Sequence, residues 1–143
     1  MELPEKQITE FIRKHHIFTL ATSALNIPYV CTCFYVYVEE LNMFVFTSDH
    51  GTRHVDEMLV QPVVSGAIAL ETTMVGKIQG IQFTGKSIEL SGELYEKAEK
   101  VYLHKFPIAN FKKLTLWAIV PGFIKMTHNR LGFGKKLIWK HES

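Results

Sequence analysis

The chain has 143 residues, the size of one domain. Hydrophobic residues make up 47% and charged residues 21%, which excludes disordered, collagen-like and low-complexity classes. The net charge is +2, but residues 1–75 carry 4 Lys+Arg against 9 Asp+Glu, and residues 76–143 carry 12 against 5. This basic second half favours either an anionic ligand or a solvated lysine-rich face.

The sequence predicts a single-domain cytoplasmic protein over residues 1–143. Its longest apolar stretch, residues 29–38, is far shorter than the roughly 20 residues of a membrane-spanning helix. Residues 1–5 lack the apolar core of a secretory signal. Cys31 and Cys33 are one residue apart, too close for an unstrained disulfide bond. We therefore expect no disulfide framework and no membrane association.

The first elements change from a helical period to a period of two. Apolar residues at helical spacing predict a helix over residues 4–15. Strands are predicted over residues 17–24, 28–38 and 43–47, separated by turn-like residues. Neither face of the second strand is polar. It is therefore predicted to be buried on both sides, as in a barrel or at a subunit interface.

The rest of the chain continues in short strands with inserted helices. A helix is predicted over residues 52–61, a strand over 63–70, and a strand over 78–91 bent at Gly85. A helix over residues 94–105 precedes a hairpin of residues 114–120 and 123–128 across Pro121-Gly122, and a last strand over 136–139. The pattern indicates a mainly β fold, an N-terminal helix (residues 1–16) followed by an antiparallel barrel with helical insertions (residues 17–139).

Three motifs have a purely structural interpretation as well as a functional one. Gly80 followed by Gly85-Lys86-Ser87 matches a phosphate loop by spacing, but the residues between alternate as in a strand, so the match is interpreted as accidental. His50 and His54 straddle a helix start, and no metal site is predicted there. Cys31 and Cys33 share a strand face and are either a redox pair or small hydrophobes.

The strongest local signal lies in residues 46–54, where a strand ends, a polar turn follows and a helix begins. Amides at a helix start attract anions. Thr52 can cap the helix, Arg53 can bind phosphate oxygens through two parallel bonds, and His54 adds a donor. The alternative is a capped surface helix with a solvated arginine.

These residues resemble the flavin-binding split-barrel proteins related to pyridoxamine 5′-phosphate oxidase. The matching segments are Phe46-Thr47, Thr52-Arg53-His54, the glycine-bent run 84–90, and Arg130-Leu131. Each motif is weak, but their order is consistent over residues 17–139. The chain looks closest to a small, poorly characterised bacterial branch of that superfamily.

The resemblance implies a split β-barrel homodimer that holds FMN in a cleft between subunits. Thr52, Arg53 and His54 are implied to bind the phosphate, with Thr47 and Ser48 at the ribityl chain or ring edge. The remaining implied contacts lie at the ring: the backbone of Thr32, Cys33 and Phe34, the side chain of Gln82, and the positive charge of Arg130 or Lys135.

Departures from the oxidase pattern narrow the predicted function. Cys31 and Val36 stand where the oxidase has Arg and Lys, and Gly132 and Gly134 replace a His and an Arg. True pyridoxamine-phosphate oxidation is therefore not expected. We predict an FMN-binding oxidoreductase acting on an unidentified small molecule; the alternative is a non-catalytic binding or sensing module for flavin or haem. Nucleic-acid binding rests on lysine charge alone and ranks last.

Overall fold

The structure is a computed structural model that describes residues 2–141. The described residues form seven strands and three α-helices. The strands are β1 (Ile17–Ala24), β2 (Ile27–Val38), β3 (Met43–Thr47), β4 (Val63–Ala69), β5 (Gln79–Glu89), β6 (Leu116–His128) and β7 (Lys136–Lys140). The helices are α1 (Lys6–Lys14), α2 (Arg53–Val60) and α3 (Gly92–Lys105). Most predicted bounds agree with these to within two residues.

The strands form one antiparallel sheet in the order β3-β2-β1-β4-β5-β6-β7, and an additional pairing of β3 with β6 closes it into a barrel. The first half of β6 pairs with β3 through residues 116–119, and its second half pairs with β7 through residues 123–127. One long strand therefore both closes the barrel and extends it. The predicted mainly β, antiparallel barrel is confirmed.

Aromatic side chains fill the barrel interior. Phe44 and Phe83 stack with ring centroids 4.3 Å apart, and Phe18 and Tyr35 pack beside them. Helix α1 packs against this core through its buried apolar stripe, and the Tyr35 hydroxyl donates a 2.6 Å hydrogen bond to the Ile12 carbonyl. The last turn of α1 is thereby fixed to β2.

A second apolar cluster lies outside the barrel under α3. It joins Tyr102 of α3 to Val36 and Val38 of β2 and to neighbouring residues of β3 and β6. Helix α3 therefore covers the outward face of β2 only along the strand's second half. Nearer the start of β2, the outward side chains stay uncovered: Val30 is 59% exposed and Phe34 is 55% exposed. Within the single chain, β2 is therefore buried on both faces only in its second half, and the burial of its first half at a subunit interface stays a prediction.

The predicted hairpin at Pro121-Gly122 is also wrong, because both residues lie inside the continuous strand β6. Thr84 pairs with Phe123 and Gly85 pairs with Pro121, which leaves Gly122 as the extra residue of a β-bulge. A bulge tolerates proline because the ladder is interrupted there. The turn-like dipeptide therefore bends the strand instead of reversing it.

Strand β5 contains the whole apparent phosphate-loop motif. Gly80 and Ser87 both lie within its bounds, and Gly85 sits at the register shift. The accidental nature of the match is confirmed, since no helix opens after the lysine. None of the helices in residues 2–141 is long and apolar enough to cross a membrane.

Substituting Gly85→Ala is expected to destabilise the fold by about 1–3 kcal/mol, the usual cost of overpacking. A Cβ at Gly85 would lie 2.5 Å from the Val120 carbonyl oxygen and 2.8 Å from the Pro121 Cα, both backbone atoms. Gly122→Ala is the matched control, since a Cβ there meets nothing within 4 Å. Urea unfolding of both variants measures the difference; equal midpoints would contradict the steric role of Gly85.

Candidate functional site

The candidate site begins where β3 leaves the barrel. The Thr47 hydroxyl donates a 2.9 Å hydrogen bond to the Thr115 carbonyl, and the Trp117 indole N–H donates a 3.0 Å bond to the Ser48 carbonyl. Both partners precede or begin β6, the strand that closes the barrel against β3. The exit of β3 is therefore fixed by the barrel closure itself.

Helix α2 starts five residues after Ser48 and packs over the inward faces of β1 and β2. Its buried residues Val55 and Met58 join the interior core. His54, in its first turn, places Nε2 at 2.7 Å from the Ser48 hydroxyl oxygen. The ring is thereby held between the end of β3 and the underlying strand β2.

Two thiols of β2 lie beside His54. The Sγ atoms of Cys31 and Cys33 are 3.9 Å apart, and both thiols lie within 4.8 Å of a ring nitrogen of His54. All three residues are half-buried. Because alternate residues of a strand share a face, Cys31 and Cys33 both point toward α2.

The two thiols have opposite acidities. A hydrogen bond from Cys33, aided by His54, lowers the pKa of Cys31 to about 5 against the opposing effect of burial. The interaction with Cys31 and burial together raise the pKa of Cys33. Cys31 is therefore the more acidic thiol of the pair, and Cys33 is the hydrogen-bond donor to it.

Arg53 is fixed on two sides. Its guanidinium carbon lies 4.1 Å from the centroid of the Tyr29 ring, and its Nε donates a 3.0 Å hydrogen bond to Glu57. Glu57 is buried and also accepts a 2.9 Å hydrogen bond from the Thr22 hydroxyl. The Arg53 hydrogen bond is the main reason that the pKa of Glu57 is lowered. The Arg53 side chain nevertheless stays 54% exposed.

Thr52 occupies the N-cap position of α2 but makes no side-chain cap bond. Its hydroxyl instead donates a 2.9 Å hydrogen bond to the Asp49 carbonyl. The predicted cap is therefore wrong: the turn before the helix takes the hydroxyl. Of the other turn residues, His50 pairs with Glu89 at 3.0 Å, and the Asp49 carboxylate pairs with Lys112 at 3.4 Å.

The predicted ring contacts divide between the two faces of β2. Thr32 and Phe34 are exposed on its outward face, while Cys33 points inward. Gln82 shares the outward face, because the register links Thr32 to Gln82 through residues of β1 and β4. A surface groove of about 460 Å³ follows this face and is lined in part by Val30, Gln82 and Phe123.

Arg130 and Lys135 lie beyond the C-terminal end of β6, in the connection to β7. Thr47 pairs with Leu116 at the opposite end of that strand. The thirteen residues of β6 extend for roughly 40 Å at the usual rise per residue. Arg130 and Lys135 therefore lie at the end of β6 opposite to Leu116, the partner of Thr47.

Sequence reasoning did not single out Tyr29, Glu57 or Thr22, which together position Arg53. One signal was available, the spacing of four residues between Arg53 and Glu57 on a helix. The joining of Cys31 and Cys33 to His54 had no local signal, because it depends on where α2 lies on β2.

The chain resembles known proteins in sequence. It is 38% identical over 133 residues to a UPF0306 protein of Yersinia pestis, covering 92% of this chain and 90% of the relative. The chain belongs to the UPF0306 family. No model of a known protein family matches it.

Solved structures identify the fold. A Listeria innocua protein provisionally named as a pyridoxamine 5′-phosphate oxidase has a TM-score of 0.70 at 14% identity, covering 84% of this chain and 94% of that one. A FAD-binding protein from Mesorhizobium loti has a TM-score of 0.68 at 17% identity, with coverage of 84% and 89%. The split-barrel fold is thereby confirmed, and the resemblance to the oxidase-related proteins holds at the level of the fold.

A haem-binding protein from Mycobacterium smegmatis has the same fold, with a TM-score of 0.73 at 15% identity. The match covers 87% of this chain and 52% of that protein, so the chain spans about half of its length. Split-barrel proteins named for flavin and for haem thus both resemble this UPF0306 chain.

Alkylation of Cys31 by iodoacetamide is expected to be half-maximal near pH 5, since its pKa is lowered to about 5 and the thiolate is the reacting form. In Cys33→Ala the midpoint should move upward toward the ordinary value of about 8.5, because the main stabilising donor is gone. Mass spectrometry of the modified peptide against pH measures both, with Cys31→Ser identifying the reacting thiol. A wild-type midpoint near that ordinary value would contradict the lowered pKa of Cys31.

Proposed function

We propose that this UPF0306 protein is a single-domain, cytoplasmic split-barrel flavoprotein that binds FMN and acts as an oxidoreductase on a small molecule. The observation that carries the proposal is the fixed but exposed guanidinium of Arg53 at the start of α2. The likeness to flavin-related split-barrel proteins supports it at the level of the fold.

Arg53 suits an anion because it is positioned before any ligand arrives. Its Nε is used by Glu57 and one face of its guanidinium rests on Tyr29, so the two terminal nitrogens are left to bind phosphate oxygens in parallel. The helix start adds a favourable dipole. Thr52 and His54 flank Arg53 in the sequence, and to donate to a phosphate they would exchange their present hydrogen bonds with the Asp49 carbonyl and the Ser48 hydroxyl. The chemistry of this donor set therefore fits the FMN phosphate.

The remaining contacts follow from the resemblance. Thr47 and Ser48 would meet the ribityl chain or ring edge, and the backbone of residues 32–34 with Gln82 would flank the ring. FMN, when bound, supplies the hydride-transfer chemistry, so the chain's own task is to bind, to orient and to exclude water. Arg130 or Lys135 would place positive charge beside the ring.

We further propose a homodimer with the cofactor at the subunit interface. Two features support it: the outward face of β2 leaves Val30 and Phe34 exposed, and Arg130 and Lys135 lie at the far end of β6 from Thr47. A second copy seated on the outward face would cover the apolar residues. It would also supply the two cations to the first copy's site.

Arg53→Ala should weaken FMN binding roughly 10- to 100-fold, the value of a charge-assisted hydrogen-bond pair. Quenching of flavin fluorescence during titration with protein measures the affinity. Arg13→Ala is a matched control. Arg13 lies on α1 and, like Arg53, is an exposed arginine (55%) that pairs with a glutamate, in this case Glu39 at 2.6 Å.

Unchanged FMN affinity in Arg53→Ala, or equal losses in both arginine variants, would contradict the phosphate site. Addition of NADH or NADPH to the FMN-loaded protein then separates an oxidoreductase from a passive binding module. Bleaching of the oxidised flavin absorption supports the enzyme.

Val30→Arg should convert the dimer into a monomer, because it places a charge on the exposed outward face of β2 that the second copy would cover. Sedimentation velocity measures the mass of each variant. Val60→Arg, at a valine 78% exposed at the end of α2, is the control and should stay dimeric. A monomeric wild-type protein, or a Val30→Arg dimer, would exclude this interface.

Haem is the second candidate ligand, favoured by the likeness to the mycobacterial haem-binding protein. The two candidates differ in their spectra. Saturable binding of haemin with a Soret band, in protein that does not quench flavin fluorescence, would favour the haem-binding or sensing alternative.

A further inference from the structure

The half-buried cluster of two thiols and an imidazole beneath the start of α2 has no role in the proposed flavin chemistry beyond the contacts of His54 and the Cys33 backbone. Its donor atoms all lie within 4.8 Å of one another. We propose that Cys31, Cys33 and His54 form a three-ligand binding site for zinc(II). The inference goes beyond the proposed function and does not depend on flavin binding.

The spacing of the two thiols fits one shared ion. Two thiolates bound to one zinc at about 2.3 Å, with a tetrahedral angle between them, have sulfur atoms about 3.8 Å apart. The Sγ atoms of Cys31 and Cys33 are 3.9 Å apart. An ion can therefore be seated between them without moving strand β2.

The third ligand comes from a different element. His54 belongs to α2, which packs on β2 through a buried apolar face, so the imidazole approaches the thiols from above the strand. The hydrogen bond between Nε2 and the Ser48 hydroxyl fixes the ring, and Ser48 is itself held by Trp117. Such outer partners orient the ligands of metal sites.

The donor set selects the class of metal. Two sulfurs and one imidazole nitrogen suit zinc and copper(I), whereas calcium and magnesium require oxygen ligands, which this set lacks. Zinc binding would displace the proton of the Cys33 thiol, and the two resulting thiolates would balance the double charge of zinc. The nearby positive charge of Arg53 is offset by its pairing with Glu57 at 3.0 Å.

Three protein ligands leave one tetrahedral position vacant, as in zinc sites that bind water or a substrate. Cys31 and His54 are partly exposed, so that position can be reached from solvent. The chain would therefore hold zinc with an exchangeable fourth ligand, next to Arg53 and the start of α2.

The test uses the reduced, metal-free full-length protein without flavin. Competition with a chromophoric chelator should show one zinc ion per chain. Replacement by cobalt(II) should give tetrahedral visible bands together with thiolate-to-cobalt charge-transfer absorption, a readout that needs no variant. Ser48→Ala should weaken zinc binding roughly 10- to 100-fold, and Cys33→Ser should weaken it more, because it removes a ligand.

His50→Gln is the matched control, since His50 lies four residues before His54 and pairs with Glu89, outside the cluster. It should bind zinc like the wild type. The proposal is overturned if the wild type binds no zinc, if cobalt shows no thiolate absorption, or if Cys31→Ser/Cys33→Ser still binds with wild-type affinity. Arg53→Ala should retain zinc even where it loses FMN, so failure of either proposal is recognised separately.

Discussion

The pairing of β3 with β6 is the constraint on which the rest of the molecule depends. It closes the barrel around Phe44 and Phe83, and it fixes Ser48 through the neighbouring Trp117 and Thr115. Ser48 in turn orients His54 in the first turn of α2. The geometry of the candidate site is therefore set by hydrogen bonds that run from the closed barrel through Ser48 to the first turn of α2.

Charge at the site is arranged so that Arg53 is held without being buried. Glu57 is buried and would be costly to ionise alone, but Thr22 and Arg53 each donate to one of its carboxylate oxygens. Its lowered pKa follows, chiefly from the Arg53 bond. The Glu57 carboxylate offsets part of the positive charge that Arg53 presents to an incoming anion. It also fixes the Arg53 side chain in advance, so binding an anion costs less conformational entropy.

Local patterns were sufficient for most of the fold because strands such as β1 and β4 alternate between buried and more exposed residues. Helices α2 and α3 also end at C-cap residues, Gln61 and Phe106, that are each followed by a proline. Local patterns failed at Pro121-Gly122, where the long partner strand β5 continues the ladder past a turn-like dipeptide. They also failed for the cap at Thr52 and for the Tyr29 platform under Arg53. Those features depend on which residues of distant elements meet, and a chain's local preferences do not contain that information.

The alternation of β2 separates two kinds of chemistry on one strand. Its inward residues Cys31 and Cys33 face α2 and form a small polar site at the edge of the core, while its outward residues Thr32 and Phe34 remain exposed. Because side chains of a strand alternate between faces, a ligand on one side of β2 meets only the backbone edge of the other side's residues. The proposed FMN, using both the start of α2 and the outward groove, would therefore cross the edge of the strand, where the proposed second subunit would enclose it.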